Sequence, residues 1–162
     1  MSFSRQFSAG KASTICLPFP MTSISGGKVY EFQDVTYNSS DGWVATMVDA
    51  TPNMVTETVA NTPYLFLPDA DGSVTFSGTI DNVPASVAAG TTESGDWTFY
   101  GTYSRLDYGT EPFSGTVFGF AATGGKANDG RTDVTAGQFI KAADGAFIQP
   151  FRAYLTCSGS NS

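Results

Sequence analysis

The sequence predicts an all-β domain, an antiparallel two-sheet β-sandwich of jelly-roll type. The first observation is period-two alternation, as in 73–80, where Val74, Phe76 and Ile80 alternate with Ser and Thr in the pattern of a strand with one wet face. The second is a composition with 18 Gly and 14% aromatic residues, which is typical of a folded chain with many turns. The third is a series of short strand-like segments separated by turn signals, without a helical stripe. Connections longer than hairpins, such as 104–116, favour the jelly-roll arrangement.

Strands in the first half of the chain are predicted from aromatic and β-branched residues that alternate with polar ones. These strands are 3–7, 13–19, 28–37, 43–48 and 54–59. In the third of them Tyr30 and Phe32 share one face, and in the fifth Val55 and Val59 share one face. Glu57 stands between those two valines and is expected at a sheet edge, because an unpaired carboxylate inside the sandwich would be costly.

Strands in the second half are predicted from the same alternation and from the turns between them. These strands are 61–68, 73–80, 96–103, 117–120 and 150–156, with a hairpin over 139–148. Prolines flank 61–68 and are expected at strand ends or at an edge, because proline donates no ladder hydrogen bond. The Asp-Gly pairs at 71–72 and 144–145 each predict a hairpin turn. A short helical turn is expected over 84–89.

One domain is expected over 1–157, because a chain of 162 residues can bury a single sizeable core. The Ser- and Gly-rich stretch 158–162 is expected to be a flexible linker or tail. Cys16 and Cys157 would either join the first and last core strands as a disulfide in an oxidising compartment or remain buried thiols. We favour buried thiols, because alternation places Cys16 on the face of its strand opposite Ile15.

The charge balance disfavours two classes of partner. The chain carries 8 Lys and Arg against 15 Asp and Glu, for a net charge of -7, and no two basic residues are adjacent. Nucleic acids and anionic membranes need a basic footprint, so neither is an expected partner. No apolar run approaches the length of a membrane span, so membrane insertion is not expected either.

The lack of histidine narrows the chemistry that the chain can perform. It removes the commonest general base and the Ser-His and Cys-His nucleophile pairs, and two cysteines cannot make a tetrahedral zinc site. Carboxylate-only catalysis, as in glycoside hydrolases, stays open. Because no acidic pair in the sequence is marked for that role, we expect no enzyme and assign no catalytic residue.

Three short, mostly apolar stretches stand near the start, the middle and the end of the chain. They are Thr14-Ile15-Cys16-Leu17-Pro18-Phe19, Ala60-Asn61-Thr62-Pro63-Tyr64-Leu65-Phe66, and Gly137-Gln138-Phe139-Ile140 with Pro150-Phe151-Arg152-Ala153-Tyr154-Leu155. Together they resemble β-sandwich accessory modules in secreted and cell-surface proteins of gut and rumen anaerobic bacteria. Such modules accompany glycan-degrading enzymes, adhesins and leucine-rich-repeat surface proteins. The resemblance therefore implies a non-catalytic, extracellular module similar to carbohydrate-binding modules.

Aromatic side chains near polar loops are the candidate ligand contacts, because neutral sugars lay an apolar ring face on an aromatic ring and bond to polar groups at its rim. Trp43 and Trp97 each follow a polar turn, and the alternative for both is a place in the core. Tyr100 falls on the opposite face of its strand from Trp97 and is expected to be exposed. The full set of candidates is Trp43, Trp97, Tyr100, Tyr103, Arg105, Asp107 and Tyr108.

Two acidic turns are candidates for a calcium site. Asp69 and Asp71 supply two carboxylates within 69–72, and Ca²⁺ binds six to eight oxygens. The alternative is a tight turn whose dihedral angles suit Asp and Gly. The segment 128–130 with Asp133 is a second candidate with the same alternative.

Arg152 is a basic residue within the predicted last strand. Alternation places it on the face opposite Phe151 and Leu155. It would either clamp a sugar or a carboxylate, or pair with an Asp on the adjoining strand. We favour the Asp pair, because the surrounding stretch carries the fold resemblance.

The expected function is that of a non-catalytic carbohydrate-binding module. It would attach a secreted enzyme or a surface protein to plant cell-wall or host polysaccharide through aromatic stacking and polar contacts. The alternative is a structural or adhesive spacer module of a bacterial surface protein, with no small-molecule site. In both cases the low charge and the abundance of Ser, Thr and Gly indicate a part of a longer protein that is secreted or held at the cell surface.

Overall fold

Fifteen β-strands and no helix make up the described part of the chain, which comprises residues 1–80, 89–91, 95–127 and 130–158 of a computed structural model. The strands are β1 (Ser2–Phe7), β2 (Ser13–Cys16), β3 (Gly27–Asn38), β4 (Gly42–Asp49), β5 (Pro63–Pro68), β6 (Gly72–Ser77), β7 (Ala89–Thr91), β8 (Trp97–Thr102), β9 (Leu106–Asp107), β10 (Val117–Phe120), β11 (Gly125–Lys126), β12 (Asp133–Val134), β13 (Phe139–Lys141), β14 (Phe147–Ile148) and β15 (Arg152–Cys157). Every pairing between them is antiparallel. The predicted all-β fold is thus confirmed.

Two sheets form the sandwich. A four-stranded sheet has the order β2-β5-β3-β4, and a five-stranded sheet has the order β13-β10-β15-β8-β7. Phe32 and Val35 of β3 pack between the sheets against Trp97, Phe99 and Leu155 of the five-stranded sheet. The strands β2 to β5 all lie in the four-stranded sheet, and β7, β8, β10, β13 and β15 all lie in the five-stranded sheet, so the chain completes the first sheet before it builds the second. Within each sheet most neighbouring strands are not consecutive in the chain.

A β-bulge in β3 keeps the inter-sheet core continuous. The register of β3 against β4 shifts between Phe32 and Asp34, which places one extra residue, Gln33, in the longer strand. Side chains two apart share a face in a regular strand, and those three apart do not. Because of the extra residue, Phe32 and Val35 both point into the same core.

A two-stranded ribbon of β1 and β6 covers the other face of the four-stranded sheet. Ile15, Val29 and Phe66 from that sheet are fully buried against Phe7 and Phe76 of the ribbon. The Phe7 and Phe66 rings meet edge to face, with centroids 4.8 Å apart. The sequence predicts two sheets with a core between them, and this second core, between the four-stranded sheet and the ribbon, is additional to that prediction.

A third apolar cluster lies on the outer face of the five-stranded sheet. Tyr154 of β15 and Val117 of β10 pack there with Phe113, Ala142 and Ile148. The small β9–β14 ribbon contributes to the same cluster. Adjacent residues of β15 therefore serve different cores, because successive strand residues face opposite ways.

The strand predicted over 54–59 is wrong. The chain makes a turn there, with the Asn53 side-chain oxygen accepting hydrogen bonds from the backbone N–H groups of Val55 and Thr56. Met54 and Val55 are 89% and 93% exposed. The alternation is real, but no neighbouring strand lies beside it, and a local Asn turn satisfies the backbone instead. Glu57 is exposed, as predicted, although in a loop rather than at a sheet edge.

Both Asp-Gly pairs form turns, but neither closes the hairpin that the sequence predicts. The turn at 71–72 leads from β5 in the four-stranded sheet to β6, which pairs with β1. The turn at 144–145 leads from β13, paired with β10, to β14, paired with β9. An Asp-Gly pair determines local dihedral angles, whereas partner strands are chosen by burial of side chains.

Several other expectations concern particular segments. Proline does stand at both ends of β5, in agreement with the prediction.

Cys16 and Cys157 are buried and unlinked, which confirms the buried-thiol interpretation. Ser158 of the predicted tail donates its backbone N–H to the Asp96 carbonyl at 2.8 Å. The rest of that tail lies outside the described residues, and so does the predicted helical turn over 84–89 except for its last residue. Over the described ranges, no helix has the length and apolarity that crossing a membrane requires.

Candidate functional site

The most exposed aromatic pair of the described chain lies at the end of the β3–β4 hairpin. Tyr37 and Trp43 are directly opposite each other across the two strands. Their ring centroids are 5.3 Å apart and their planes are inclined by 61°. Tyr37 is 64% exposed and Trp43 is 43% exposed. We call this pair the aromatic platform.

The turn beside the aromatic platform is fixed by its own sequence. The Asn38 side-chain oxygen accepts hydrogen bonds from the backbone N–H groups of Ser40 and Asp41, at 2.9 and 2.7 Å. Gly42 then has a φ of 75°, in the left-handed region that favours glycine. This local geometry aligns Tyr37 with Trp43 and leaves the polar turn exposed beside both rings.

Trp97 supports the platform from below. Its ring centroid lies 5.4 Å from that of Trp43 and 5.6 Å from that of Phe118. Trp97 is only 4% exposed, so its indole offers no face to a ligand in this arrangement. The two tryptophans that the sequence singles out are thus neighbours, one at the surface and one in the core.

Tyr100 lies elsewhere, on the outer face of β8. It is 37% exposed, which agrees with the predicted exposure, and its ring stacks on Tyr154 with a 25° interplanar angle. Burial raises the pKa of Tyr154 to about 12. Trp97 and Tyr100 point to opposite faces of one strand, so they cannot share a binding surface.

Arg105, Asp107 and Tyr108 lie at the β9–β14 ribbon. Arg105 and Asp107 form an exposed ion pair with a 2.7 Å separation, and this hydrogen bond holds the pKa of Asp107 below its ordinary value. The Arg105 guanidinium also covers the Phe147 ring at 4.0 Å. Tyr108 packs edge-on against Phe113 in the third cluster. These groups already satisfy one another, which makes them a weaker ligand site than the platform.

Tyr103 has an internal role. Its hydroxyl donates to the Asn61 side-chain oxygen at 2.6 Å, and its ring contacts Phe151 at 5.6 Å. Cys16 and Tyr103 also lie close enough for each group to influence the pKa of the other. Burial raises the pKa of Tyr103 and raises that of Cys16 to about 12. The seven sequence candidates therefore fall in several separate places.

The acidic turns predicted for calcium have other contacts. The Asp71 carboxylate accepts a hydrogen bond from the Ala9 backbone N–H at 2.8 Å, which ties the β1–β2 loop to the turn after β5. Asp69 is exposed beside it. Asp133 pairs with Lys126 at 2.5 Å, while Asn128 and Asp129 lie outside the described residues. Within the described ranges no three acidic or Cys side chains gather as a metal site would require.

A solvent-open cavity of about 1150 Å³ lies on the outer side of the five-stranded sheet. Its wall includes Phe120, Ile140 and Phe147, with alanines between them and with Thr123 as a polar group. Arg152 also lines this cavity. Sequence reasoning did not find the cavity, because its wall is assembled from short segments far apart in the chain.

Arg152 does not pair with any Asp of the described ranges, contrary to the favoured interpretation. It donates a hydrogen bond from Nη1 to the Ser13 hydroxyl oxygen, and Arg5 donates to that same oxygen from Nη2 at 2.8 Å. The adjoining strand offers Thr102 opposite Arg152 rather than an acid. Burial lowers the pKa of Arg152.

Sequence reasoning also missed Tyr37 and Arg5 as functional candidates. A signal for Tyr37 was present, because a turn over 39–42 places Tyr37 opposite Trp43 in the hairpin register. No comparable signal existed for Arg5, which meets Arg152 from the far end of the chain.

Comparisons of the chain with protein-family models, with curated protein sequences and with solved structures gave no match.

Proposed function

We propose that this chain is a non-catalytic carbohydrate-binding module whose binding surface is the aromatic platform. The observation that carries the proposal is the exposed Tyr37–Trp43 pair, held in place by the buried Trp97. Exposed aromatic rings on a rigid hairpin cost free energy in water unless a ligand covers them. A pyranose ring offers the matching apolar face.

The inclination of the two rings narrows the class of glycan. Two coplanar rings would suit a flat ribbon such as the surface of crystalline cellulose. An inclination of 61° suits a chain whose successive sugar units turn relative to one another, as in a soluble polysaccharide. The exposed Ser39, Ser40 and Asp41 in the adjoining turn supply hydroxyl and carboxylate groups for the sugar rim. Affinity should be modest, because so shallow a surface buries little area.

The module holds its glycan without cleaving it, and its net charge of -7 disfavours nucleic acid as a partner. It belongs to a longer secreted or cell-surface protein, which it attaches to plant cell-wall or host polysaccharide. Calcium at Asp69 and Asp71 stays a prediction, to be tested by adding chelator to the binding experiment.

Affinity electrophoresis against a panel of soluble polysaccharides tests this function, with pull-down on insoluble cellulose as the flat-surface comparison. We expect retardation by one glycan family and little binding to cellulose. Trp43→Ala and Tyr37→Ala should each weaken binding about tenfold or more, equivalent to about 1.4 kcal/mol. The matched control is Tyr100→Ala, since Tyr100 is 37% exposed but lies on the outer face of β8, away from the platform.

Two platform variants are used because Trp43 and Tyr37 differ in their contact with the core. Trp43 packs on Trp97, so its removal could disturb the core, whereas Tyr37 is 64% exposed and its removal leaves Trp97 covered. Binding that survives Tyr37→Ala and Trp43→Ala in folded protein would contradict the assignment of the platform. Release of reducing ends from any bound polysaccharide would contradict the non-catalytic part of the proposal.

A structural or adhesive spacer module is the second candidate. The turn after β4 exposes Met54 and Val55, and Val59 nearby is 64% exposed. Adjacent exposed apolar residues are typical of surfaces that contact another protein. If no glycan in the panel retards the chain, this candidate becomes the better account.

A further inference from the structure

Two arginines from opposite ends of the chain meet at one hydroxyl group. Arg5 Nη2 and Arg152 Nη1 both donate to the Ser13 side-chain oxygen. The three residues come from β1, β2 and β15, where the edge of the four-stranded sheet meets the five-stranded sheet. The Thr14 hydroxyl, next along β2, receives the Ala153 backbone N–H at 3.0 Å, which fixes this junction.

No carboxylate in the described part of the chain compensates the charges of the two guanidinium groups. Neither Arg5 nor Arg152 forms an ion pair with a carboxylate of the described residues. This is unexpected in a chain where acidic residues outnumber basic ones by 15 to 8. Two like charges that are partly removed from water repel each other and each lose hydration. An anion placed against them would offset both effects.

Unused hydrogen-bond donors accompany the uncompensated charge. Arg5 Nε is buried and has no partner among the described residues. Toward the side chains of the described residues, Arg152 donates one of its five N–H groups, the one that reaches Ser13, and it lines the cavity. The remaining N–H donors of Arg152, next to an open cavity, are suited to bind acceptor oxygens from a ligand.

The behaviour of Arg5 agrees with this geometry. Burial, and next the positive charge of Arg152, lower the pKa of Arg5 to about 9. The Arg5 guanidinium also lies over the Phe7 ring at 4.3 Å, which holds it in place while leaving the charge uncompensated.

We propose that Arg152 forms an anion-binding site at the wall of the cavity, which receives the carboxylate of a ligand such as a uronic acid residue, and that Arg5, joined to Arg152 through the Ser13 hydroxyl, adds its positive charge from behind that wall. A planar guanidinium matches the two oxygens of a carboxylate, and the cavity of about 1150 Å³ has room for the sugar ring that bears it. The cavity wall also offers Lys141, Asp144 and Gln149 to sugar hydroxyls. This site is separate from the aromatic platform, so a failure of either proposal leaves the other unaffected.

The test is titration of the ¹⁵N-labelled chain with sodium D-galacturonate, followed by NMR of the backbone and of the arginine Nε–Hε groups. We expect saturable shifts at Arg152, Arg5 and Ser13, and none with D-galactose, which lacks the carboxylate. Arg152→Gln should weaken galacturonate binding about tenfold or more, because it removes a charge-assisted bond. The matched control is Arg105→Gln, since Arg105 is an exposed arginine already paired with Asp107.

Further variants and ligands test whether the carboxylate is bound by Arg152. Arg152→Lys retains the charge and loses the planar fork, so weakened binding in this variant supports the proposal even if Arg152→Gln fails to fold. Trp43→Ala should leave galacturonate binding unchanged, which separates this site from the platform. Absence of saturable shifts, equal binding of D-galactose, or unchanged binding in the Arg152→Lys variant would overturn the site. Tighter binding of inorganic sulfate than of galacturonate would overturn its assignment to a carboxylate.

Discussion

Burial raises the pKa of two residues near the β2–β15 junction, Cys16 and Tyr103. The Cys16 thiol is fully buried, and its backbone N–H donates to the Phe151 carbonyl at 3.1 Å. Its pKa of about 12 lies above the ordinary value of 9.0 because the thiolate would lose its hydration. Between those two values the unfolded chain loses the thiol proton while the folded chain keeps it. The stability contributed by Cys16 is therefore fully present below about pH 9 and is lost as the pH rises toward 12.

Cys16→Ala should accordingly flatten the alkaline decline of stability. Above about pH 9 we expect the free energy of unfolding of the unmodified chain to fall by up to about 1.4 kcal/mol per pH unit more than that of Cys16→Ala. Urea denaturation at several values between pH 8 and about 11, under reducing conditions, measures this difference. The raised Tyr154 pKa and the lowered Arg5 pKa act in both proteins, so the comparison removes them, whereas the pKa values of Tyr64 and Tyr103 respond in part to Cys16 and belong to the effect that the substitution measures.

The control for this prediction is Ile15→Val. Ile15 is the neighbour of Cys16 in β2 and is fully buried, and its substitution removes one methylene group without changing a titratable group. Ile15→Val should lower stability equally at every pH. A Cys16→Ala variant that keeps the alkaline decline of the unmodified chain would show that other groups cause it.

At the scale of elements, strand glycines decide how closely neighbouring strands and rings can approach. A Cβ atom on Gly27, in β3, would lie 2.5 Å from the Leu67 carbonyl oxygen and from the Phe66 ring. Gly119, in β10, has ample space, since its nearest neighbour would be Ile148 Cδ1 at 3.5 Å. Neither glycine has a positive φ, so space alone distinguishes the two positions.

Gly27→Ala should therefore destabilise the chain, and Gly119→Ala should not. We expect a loss of about 1–3 kcal/mol for Gly27→Ala, because the added methyl group forces β3 and β5 apart, and a change within about 0.5 kcal/mol for Gly119→Ala. Thermal and urea unfolding at neutral pH provide the comparison. Equal stability of the two variants would mean that the β3–β5 contact relaxes at no cost.

Alternation predicted nine of the strands well, because it reports directly which residues face a core. The strands β3, β4, β5, β8 and β15 appear close to their predicted bounds. The same signal failed at 54–59, where apolar residues alternate without a neighbouring strand to cover them. It also missed β7, β9, β11 and β12, strands of two or three residues that are too brief to carry a periodic pattern, whereas β13 and β14 fall inside the hairpin predicted over 139–148.

For the whole molecule, β15 and the adjacent β2 together link all three apolar clusters. Ala153 and Leu155 belong to the inter-sheet core, and Tyr154 between them belongs to the outer cluster. The neighbouring strand β2 supplies Ile15 to the core beneath the β1–β6 ribbon. Unfolding of one cluster should therefore disrupt the others, giving a single cooperative transition.

Phe76→Ala and Phe113→Ala test this cooperativity. Phe76 is 2% exposed beneath the ribbon, and Phe113 is fully buried in the outer cluster. Each substitution should cost about 3–5 kcal/mol. Because the clusters are linked, each should shift the unfolding midpoint reported by the fluorescence of Trp97, which lies in the inter-sheet core. A fluorescence midpoint that does not move, accompanied by a second transition in far-UV circular dichroism, would mean that the clusters unfold separately.

The sequence by itself determined the fold class, the face of most long strands and the exposure of Tyr100, because alternation and turn residues act over a few neighbouring positions. It also determined that Trp43 stands beside a polar turn. Only the tertiary structure decided that Trp97 lies beneath Trp43, that the Asp-Gly turns connect different sheets, and that Arg5 meets Arg152. Those outcomes depend on which strands pair across large distances in the chain, and pairing is selected by the burial of side chains from many elements at once.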